Sequence, residues 1–168
     1  MSAPLDRRWA AYESVLGALK TVRRVVDGSR NPVANTVFEL RDREEILGAL
    51  ENAREVVDDL FVLSFFAAFE DAMKAHLEMV IRTFDSHPTE PPELARNLSI
   101  HLAETVEGWR MDRIPSLFAP RVSEEDISKV GDVRVFRHEV AHGKLPASSV
   151  IPKQAYLILA DFLRKAKS

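Results

Sequence analysis

The chain contains no cysteine, and this absence removes several kinds of chemistry at once. Disulfides, iron–sulfur clusters, thiolate zinc sites and cysteine nucleophiles are all excluded. A metal site would have to be built from His, Asp and Glu side chains. Since disulfides accumulate in oxidising compartments, a chain without them is expected to be cytoplasmic.

The chain also lacks a long apolar run and an excess of positive charge. Its longest apolar stretch, residues 60–69, is interrupted by Ser64 and is too short for a bilayer, which needs roughly 20 apolar residues. Acidic residues outnumber Lys and Arg by 26 to 23, which argues against a broad electrostatic coating of nucleic acid. We therefore expect no membrane partner, and a role on RNA or DNA would need a local site.

What the chain does contain is enough apolar material for a core, arranged at helical spacing. Of its 168 residues, 46% are apolar. Apolar positions recur at steps of three and four, which places them on one side of a helix, and no segment shows sustained strand alternation. We predict an all-α fold: a single domain over residues 1–168, built as a helical bundle of five to six helices.

The two longest predicted helices come first. The first ends at Gly28 and carries one apolar stripe: Leu5, Trp9, Tyr12, Leu16, Leu19, Val22 and Val26. The second covers residues 41–84 and becomes apolar on most sides after residue 60, as the buried centre of a bundle does. Its aromatic residues stand at helical spacing, which is more typical of a core than of a ligand site: Phe61, Phe65, Phe66 and Phe69.

Three further helices are predicted downstream. The first of them is marked by spaced apolar residues: Leu94, Leu98, Leu102, Val106 and Trp109. The next begins at Ser123, where a hydroxyl followed by three acids resembles a capping arrangement, and it runs to His142 before Gly143. The last runs from about Pro152 to Lys165.

One short segment near the C-terminus combines catalytic residue types in two overlapping patterns. In the first, His138, Glu139 and His142 fit the HExxH pattern of zinc metalloproteases. Two histidines four residues apart share a helix face and could both reach a zinc ion, with Glu139 as general base. A catalytic zinc needs a third protein ligand, however, and after His142 the chain has no His or Glu and a single acid, Asp161. This context argues against a zinc protease.

The second pattern starts one residue earlier and joins Arg137 to His142 across four residues. The segment reads RHEVAHG over residues 137–143. It resembles the signature of the HEPN family of small α-helical domains, in which an Arg is followed after four to six residues by a His, often within Ala-His-Gly and close to the final helix. The apolar central helix and the terminal helix extend this resemblance in pattern. One departure is His138, where the commonest pattern has Asn.

The resemblance implies a metal-independent endoribonuclease that uses no cofactor. Such domains are frequently the toxin of a toxin–antitoxin pair or an RNA-cutting defence component. The implied partners are an RNA substrate, a second copy of the chain in a homodimer whose cleft holds the active site, and a cognate antitoxin, often a nucleotidyltransferase-like protein.

The chemistry of these residue types agrees with that implication. RNA carries its own nucleophile, the 2′-hydroxyl, so cleavage needs groups that move protons and a cation that holds the phosphate. Arg137 offers a planar fork of donors for phosphate oxygens, and His142 offers an imidazole as acid or base. His138 lies on nearly the same helix face as His142 and is predicted to assist as second proton carrier or phosphate contact.

The two signature residues do not lie on one face of a helix, because five residues rotate the direction by about 140°. A dimer would resolve this by pooling residues from two copies, with Val135 helping to form the contact. The alternative from another class is a non-catalytic member of the fold, a dimerising or nucleotide-binding module. In that case Arg137 is a structural ion-pair partner and His142 only a helix cap.

Two further sets of residues lie outside the motif. The remaining histidines carry no pattern and are interpreted as incidental: His76, His87 and His101. A basic rim for RNA could be formed by Lys144, Lys153, Arg164, Lys165 and Lys167, although the last three are more typical of a solvated helix end.

Overall fold

The computed structural model describes residues 3–28, 36, 38, 39, 41–83, 92–146 and 149–168. These ranges contain five α-helices and no strand, which confirms the predicted all-α bundle. The helices are α1 (Ala3–Gly28), α2 (Arg43–Thr83), α3 (Pro92–Thr105), α4 (Glu124–Ala141) and α5 (Pro152–Lys167). Two short 3₁₀ turns, Val106–Gly108 and Pro115–Phe118, connect α3 to α4.

Helix α2 is the axis of the bundle. Its 41 residues give it a length of about 60 Å. Helix α1 runs antiparallel to it: the Tyr12 hydroxyl donates to Asp58 Oδ1 at 2.7 Å, and further along Arg43 pairs with Asp27 at 2.6 Å. The predicted last residue of this helix, Phe84, lies outside the described residues. No helix in the described ranges is both long and apolar enough to cross a membrane.

The C-terminal half of α2 is covered by the remaining helices. Helix α5 runs parallel to it, with Phe162 against Phe69 at 5.7 Å between ring centres and the Ala166 carbonyl oxygen 3.2 Å from His76 Nε2. Helix α4 packs against both α2 and α5. The apolar side of α5 therefore contacts both α2 and α4.

The main core is aromatic along α2. Phe65, Phe66 and Phe69 are fully buried and Phe61 is partly buried against them, which confirms that these residues form the core. A second, smaller cluster joins the C-terminal end of α1 to the N-terminal end of α2. It consists of Val26, Ile46 and Leu50, with Leu19, Phe38 and Leu47 packed on it. The paired ends of α1 and α2 thus have an apolar contact of their own.

Helix α3 differs from the prediction in the face that it buries. Ser99 is buried and its hydroxyl donates to the Ile81 carbonyl at 3.1 Å, whereas Leu98 is 51% exposed. The α-helix ends at Thr105, so Trp109 lies beyond it, after the first 3₁₀ turn. The predicted apolar spacing was wrong at Leu98. A serine hydroxyl that donates to a backbone carbonyl can be buried between helices as a leucine can, and here Ser99 takes the buried position.

The start of α4 follows the predicted capping arrangement. The Ser123 hydroxyl accepts the Asp126 amide at 3.1 Å, and Asp126 Oδ2 accepts the Ser123 amide at 3.1 Å, which makes a reciprocal capping box. Lys165 Nζ donates to the same carboxylate at 2.8 Å. The hydrogen bonds from Lys165 and Ser123 lower the pKa of Asp126 to about 2. Lys165 therefore ties α5 to α4 instead of ending in solvent.

Buried His76 makes the stability of the bundle sensitive to pH. Burial lowers the pKa of His76, and the charges of Lys167 and Arg121 lower it further against the opposing effect of the hydrogen bond with the Ala166 carbonyl. Its buried Nδ1 atom has no hydrogen-bond partner among the residues that the structure describes. As the pH falls, the unfolded chain takes up a proton at His76 before the folded chain does. The contribution of neutral His76 to the free energy of unfolding is therefore fully present above the ordinary histidine pKa, and it is lost as the pH falls through the lower pKa of the folded state.

We therefore expect the free energy of unfolding to fall between pH 7 and pH 5 by more in the wild-type protein than in His76→Gln, since glutamine does not titrate. Urea unfolding at the two pH values measures the difference. The two proteins differ only at position 76, so the comparison isolates the contribution of that side chain. An equal fall in both would show that His76 does not couple folding to protons.

Candidate active site at the end of α4

The last three turns of α4 place the RHEVAHG segment at one end of the bundle. Val133 and Phe136 are buried in the core, and Val140 is half-buried against it. Since each residue turns about 100°, this register leaves Arg137 on the flank of the packed face and turns His138 away from it. The helix face that the sequence predicts as apolar therefore decides where each motif residue points.

Arg137 is half-buried beside α2. Its guanidinium carbon lies 5.9 Å from the centre of the Phe66 ring, a cation–π distance. It forms no ion pair or hydrogen bond with any residue that the structure describes, so the alternative of a structural ion pair finds no partner there. Since no described residue accepts a hydrogen bond from the guanidinium, its N–H donors are available to an anion.

His138 and His142 are both exposed and lie together. Their ring centres are 4.4 Å apart with an angle of 63° between the planes. Two imidazoles at this distance can contact one phosphate oxygen, or one can supply a proton as the other removes one. The structure thus brings the two histidines together, while Arg137 sits on another side of the helix.

The end of α4 fixes His142 in place. His142 is the C-cap residue, and Gly143 follows in the left-handed region with φ 66°. The Lys144 amide donates to the Glu139 carbonyl at 2.9 Å and the Gly143 amide to the Val140 carbonyl at 3.0 Å. This pair of bonds is a Schellman motif. It confirms the predicted helix end and places His142 at the negative end of the helix dipole.

The Schellman motif gives a testable prediction for stability. A residue with a side chain pays about 1 kcal/mol in the left-handed region, so Gly143→Ala is expected to lower the free energy of unfolding by about that amount. Asparagine tolerates this conformation, and Gly143→Asn should cost less. Urea unfolding of both variants measures this. A Cβ at Gly143 meets no atom within 4 Å, so equal effects would mean that the backbone conformation is not responsible.

The zinc alternative gains no further ligand from the fold. His138 and His142 share a face, as HExxH requires, but within the described ranges no group of three or more His, Asp or Glu side chains could hold a metal ion. Glu139, the general base of that alternative, is half-buried. Among the described residues, the HExxH match therefore offers two histidine ligands and no third ligand for a zinc ion.

On the other flank of α4 the surface is acidic. A cavity of about 480 Å³ beside Phe136 is lined by Glu55, Asp58 and Asp59, with Arg54 as the cation. Burial raises the pKa of Asp59, and the charges of Asp58 and Glu55 raise it further. These carboxylates disfavour a phosphate in this cavity. The run of acids in α2 is visible in the sequence, but its place beside α4 depends on the fold.

Exposed apolar and basic residues surround the motif. Val135 is 47% exposed, as predicted for the motif side, and Leu145 just after the helix is 96% exposed. Lys144 is exposed and forms no ion pair with a described residue, whereas Arg164 pairs with Asp161. Of the predicted basic rim, Lys144 near the motif is therefore available to a ligand, whereas Arg164 and Lys165 at the end of α5 are engaged in ion pairs.

A scan against protein-family models finds no match to this chain, and comparisons with curated proteins and with solved structures also find none. The resemblance to HEPN domains rests on the sequence of residues 137–143 and, more weakly, on the pattern of the apolar central helix and of the terminal helix.

Proposed function

We propose that the chain is a metal-independent endoribonuclease of the HEPN type, acting as a toxin or defence component. Arg137 holds the scissile phosphate, His142 acts as acid or base, and His138 assists it. The observation that carries the proposal is the exposed His138–His142 pair, 4.4 Å between ring centres, at a rigid helix end one turn from an arginine without a described ion-pair partner.

The chemistry matches these positions. Attack of the 2′-hydroxyl on the phosphorus needs one proton removed from that hydroxyl and one given to the departing 5′-oxygen. Two neighbouring imidazoles supply both proton transfers. The equatorial phosphate oxygens gain negative charge in the transition state, and the in-plane donors of Arg137 suit two such oxygens.

A second copy of the chain explains the angle between Arg137 and His142. The two directions differ by about 140° around α4, so one phosphate meets both side chains more easily when two helices face each other. The exposed side chains of Val135 and Leu145 supply apolar surface for such a contact. A cognate antitoxin of the nucleotidyltransferase-like kind would then bind near this cleft.

The alternative is a non-catalytic module of the same fold, which dimerises or binds a nucleotide. The packing of Arg137 on the Phe66 ring favours it, because a half-buried arginine also serves structure. The zinc protease remains a third hypothesis, and zinc measured at one ion per purified chain would support it.

The test is cleavage of structured and unstructured RNA with EDTA present, first by the wild-type protein.

Whether two copies of the chain share one active site is tested by mixing Arg137→Ala and His142→Ala proteins after each has been shown to be inactive. A mixed dimer carries one intact arginine and one intact histidine, so the mixture should regain cleavage. If two differently tagged variants co-purify, which shows that mixed dimers have formed, and no activity returns, the shared cleft is wrong. His138→Asn tests the helper role separately, and full cleavage by that variant would exclude it.

A further inference from the structure

A second candidate site lies between α1 and the first turns of α5. It is a groove of about 550 Å³ lined by three aromatic side chains, Trp9, Tyr12 and Tyr156, and by two lysines, Lys20 and Lys153. This volume falls in the range of small-molecule sites, roughly 300–1,000 Å³. None of the motif residues at the end of α4 lines it.

The wall of the groove is a rigid aromatic surface. Trp9 and Tyr156 stack with 4.8 Å between ring centres and 19° between planes. The Tyr156 hydroxyl donates to Asp6 at 2.8 Å, and Tyr12 is anchored at its own hydroxyl by Asp58. Both rings of the stack are only partly buried, so part of each ring is open to contact with a planar ring that enters the groove.

The rim of the groove is positive. Lys20 and Lys153 are exposed and form no ion pair with a described residue, and among the described residues of the lining Glu13 is the one acid. Lys153 also lies in the first turn of α5, whose N-cap residue, Ile151, provides no side-chain cap. The free amides of that turn add to the positive potential. With two lysines against Glu13, the described lining of the groove carries a net positive charge, which favours an anionic group.

Gly17 keeps the α1 side of the groove open. Glycine inside a helix costs about 1 kcal/mol relative to alanine, and a Cβ at this position would meet no atom within 4 Å. Packing in the folded chain therefore does not require glycine here. A bulkier side chain at position 17 would instead occupy groove volume, because Gly17 is part of its lining.

We propose that this groove binds a nucleobase together with its attached phosphate, with the ring on the Trp9–Tyr156 stack and the phosphate between Lys20 and Lys153. The same chemistry is present in a free mononucleotide and in an unpaired nucleotide within RNA. Binding in the groove involves no cleavage and does not depend on the proposed nuclease activity.

The experiment measures binding to the full chain by two probes. One is a nucleoside 5′-monophosphate, titrated by calorimetry, and the other is a labelled single-stranded 2′-O-methyl hexanucleotide, followed by fluorescence polarisation. The 2′-O-methyl groups remove the nucleophile, so this probe cannot be cleaved. Gly17→Leu should block the groove, with Gly48→Leu as the matched control, since position 48 is also helical with open space around it.

A second pair of variants tests the charges. Lys20→Ala combined with Lys153→Ala should weaken binding at least about tenfold. For the hexanucleotide, the log–log slope of affinity against salt should become shallower by about 0.7 for each phosphate that a lysine no longer neutralises. Lys129→Ala, which removes a lysine paired with Glu125 at 2.6 Å, is the control. Circular dichroism verifies that each variant is folded.

The outcomes separate the sources. Monophosphate binding that Gly17→Leu abolishes assigns the groove to a free nucleotide, and hexanucleotide binding alone, with the same loss, assigns it to an unpaired nucleotide of RNA. If neither probe binds, or if both variants bind as tightly as the wild-type protein, the proposal is overturned. A protein that binds the probes but cuts no RNA would leave the groove standing and remove the nuclease.

Discussion

Replacing His142 with alanine is expected to slow RNA cleavage by a factor on the order of 10²–10⁴, the usual contribution of one positioned acid or base. The imidazole is exposed at the C-cap of α4 and is not part of the core. Its loss should therefore leave the fold unchanged, because the Schellman bonds are made by backbone groups. Single-turnover cleavage of a defined RNA with EDTA present measures the effect, and thermal unfolding verifies stability.

The matched control is His101→Ala, which removes an exposed histidine from α3 and should cleave at the wild-type rate. Cleavage by His142→Ala at that same rate would contradict the assigned role. If the wild-type protein cuts no RNA offered, including total cellular RNA, the non-catalytic module becomes the better description of the chain. Its partner would then be sought at the surface around Val135.

The sequence was sufficient to predict the helices whose ends carry local signals. The capping box of Ser123 and Asp126 and the glycine at position 143 act within four or five residues of chain, so their effect is readable without the fold. The core role of Phe65, Phe66 and Phe69 was readable too, since aromatic residues on adjacent helical positions bury together.

Features that depend on distant segments could not be predicted in the same way. Ser99 is buried because its hydroxyl meets the Ile81 carbonyl, and nothing in the spacing of leucines indicates that contact. The sequence carries no motif that gives His76 a role, yet this side chain is buried next to Ala166. Its spacing from Phe69 and Met73 places it on the buried face, a signal that was available. His87 lies outside the described residues.

For the candidate site, too, some features could be predicted from the sequence and others depend on the fold. The sequence predicted that His138 and His142 share a face, and the contact between their rings agrees with this. It also placed Arg137 beside the packed face, but not against the Phe66 ring of α2. The groove at Trp9 and Tyr156 was not predicted, because 147 residues separate two rings that the fold stacks together. No periodicity within one helix reports on such a pair.

The largest loss of stability is expected for Phe69→Ala. Phe69 is 0% exposed and lies between Phe66 at 5.8 Å and Phe162 at 5.7 Å between ring centres. It therefore joins α2 to α5 within the main core. Removing a fully buried ring loses its transfer free energy and leaves a cavity, for a total of about 3–5 kcal/mol.

Urea unfolding measures this loss as a shift in midpoint at constant slope. Because a whole domain is stable by only about 5–15 kcal/mol, Phe69→Ala could leave too little native protein to measure, and Phe69→Leu then provides a smaller cavity on the same scale. Leu60→Ala is the control: Leu60 lies on the same helix but is 55% exposed, so its truncation should cost within about 0.5 kcal/mol. Equal losses at Phe69 and Leu60 would contradict the assignment of Phe69 to the buried face of α2 and of Leu60 to its exposed face. The packing of α5 and of the end of α4 against that buried face would then also be wrong.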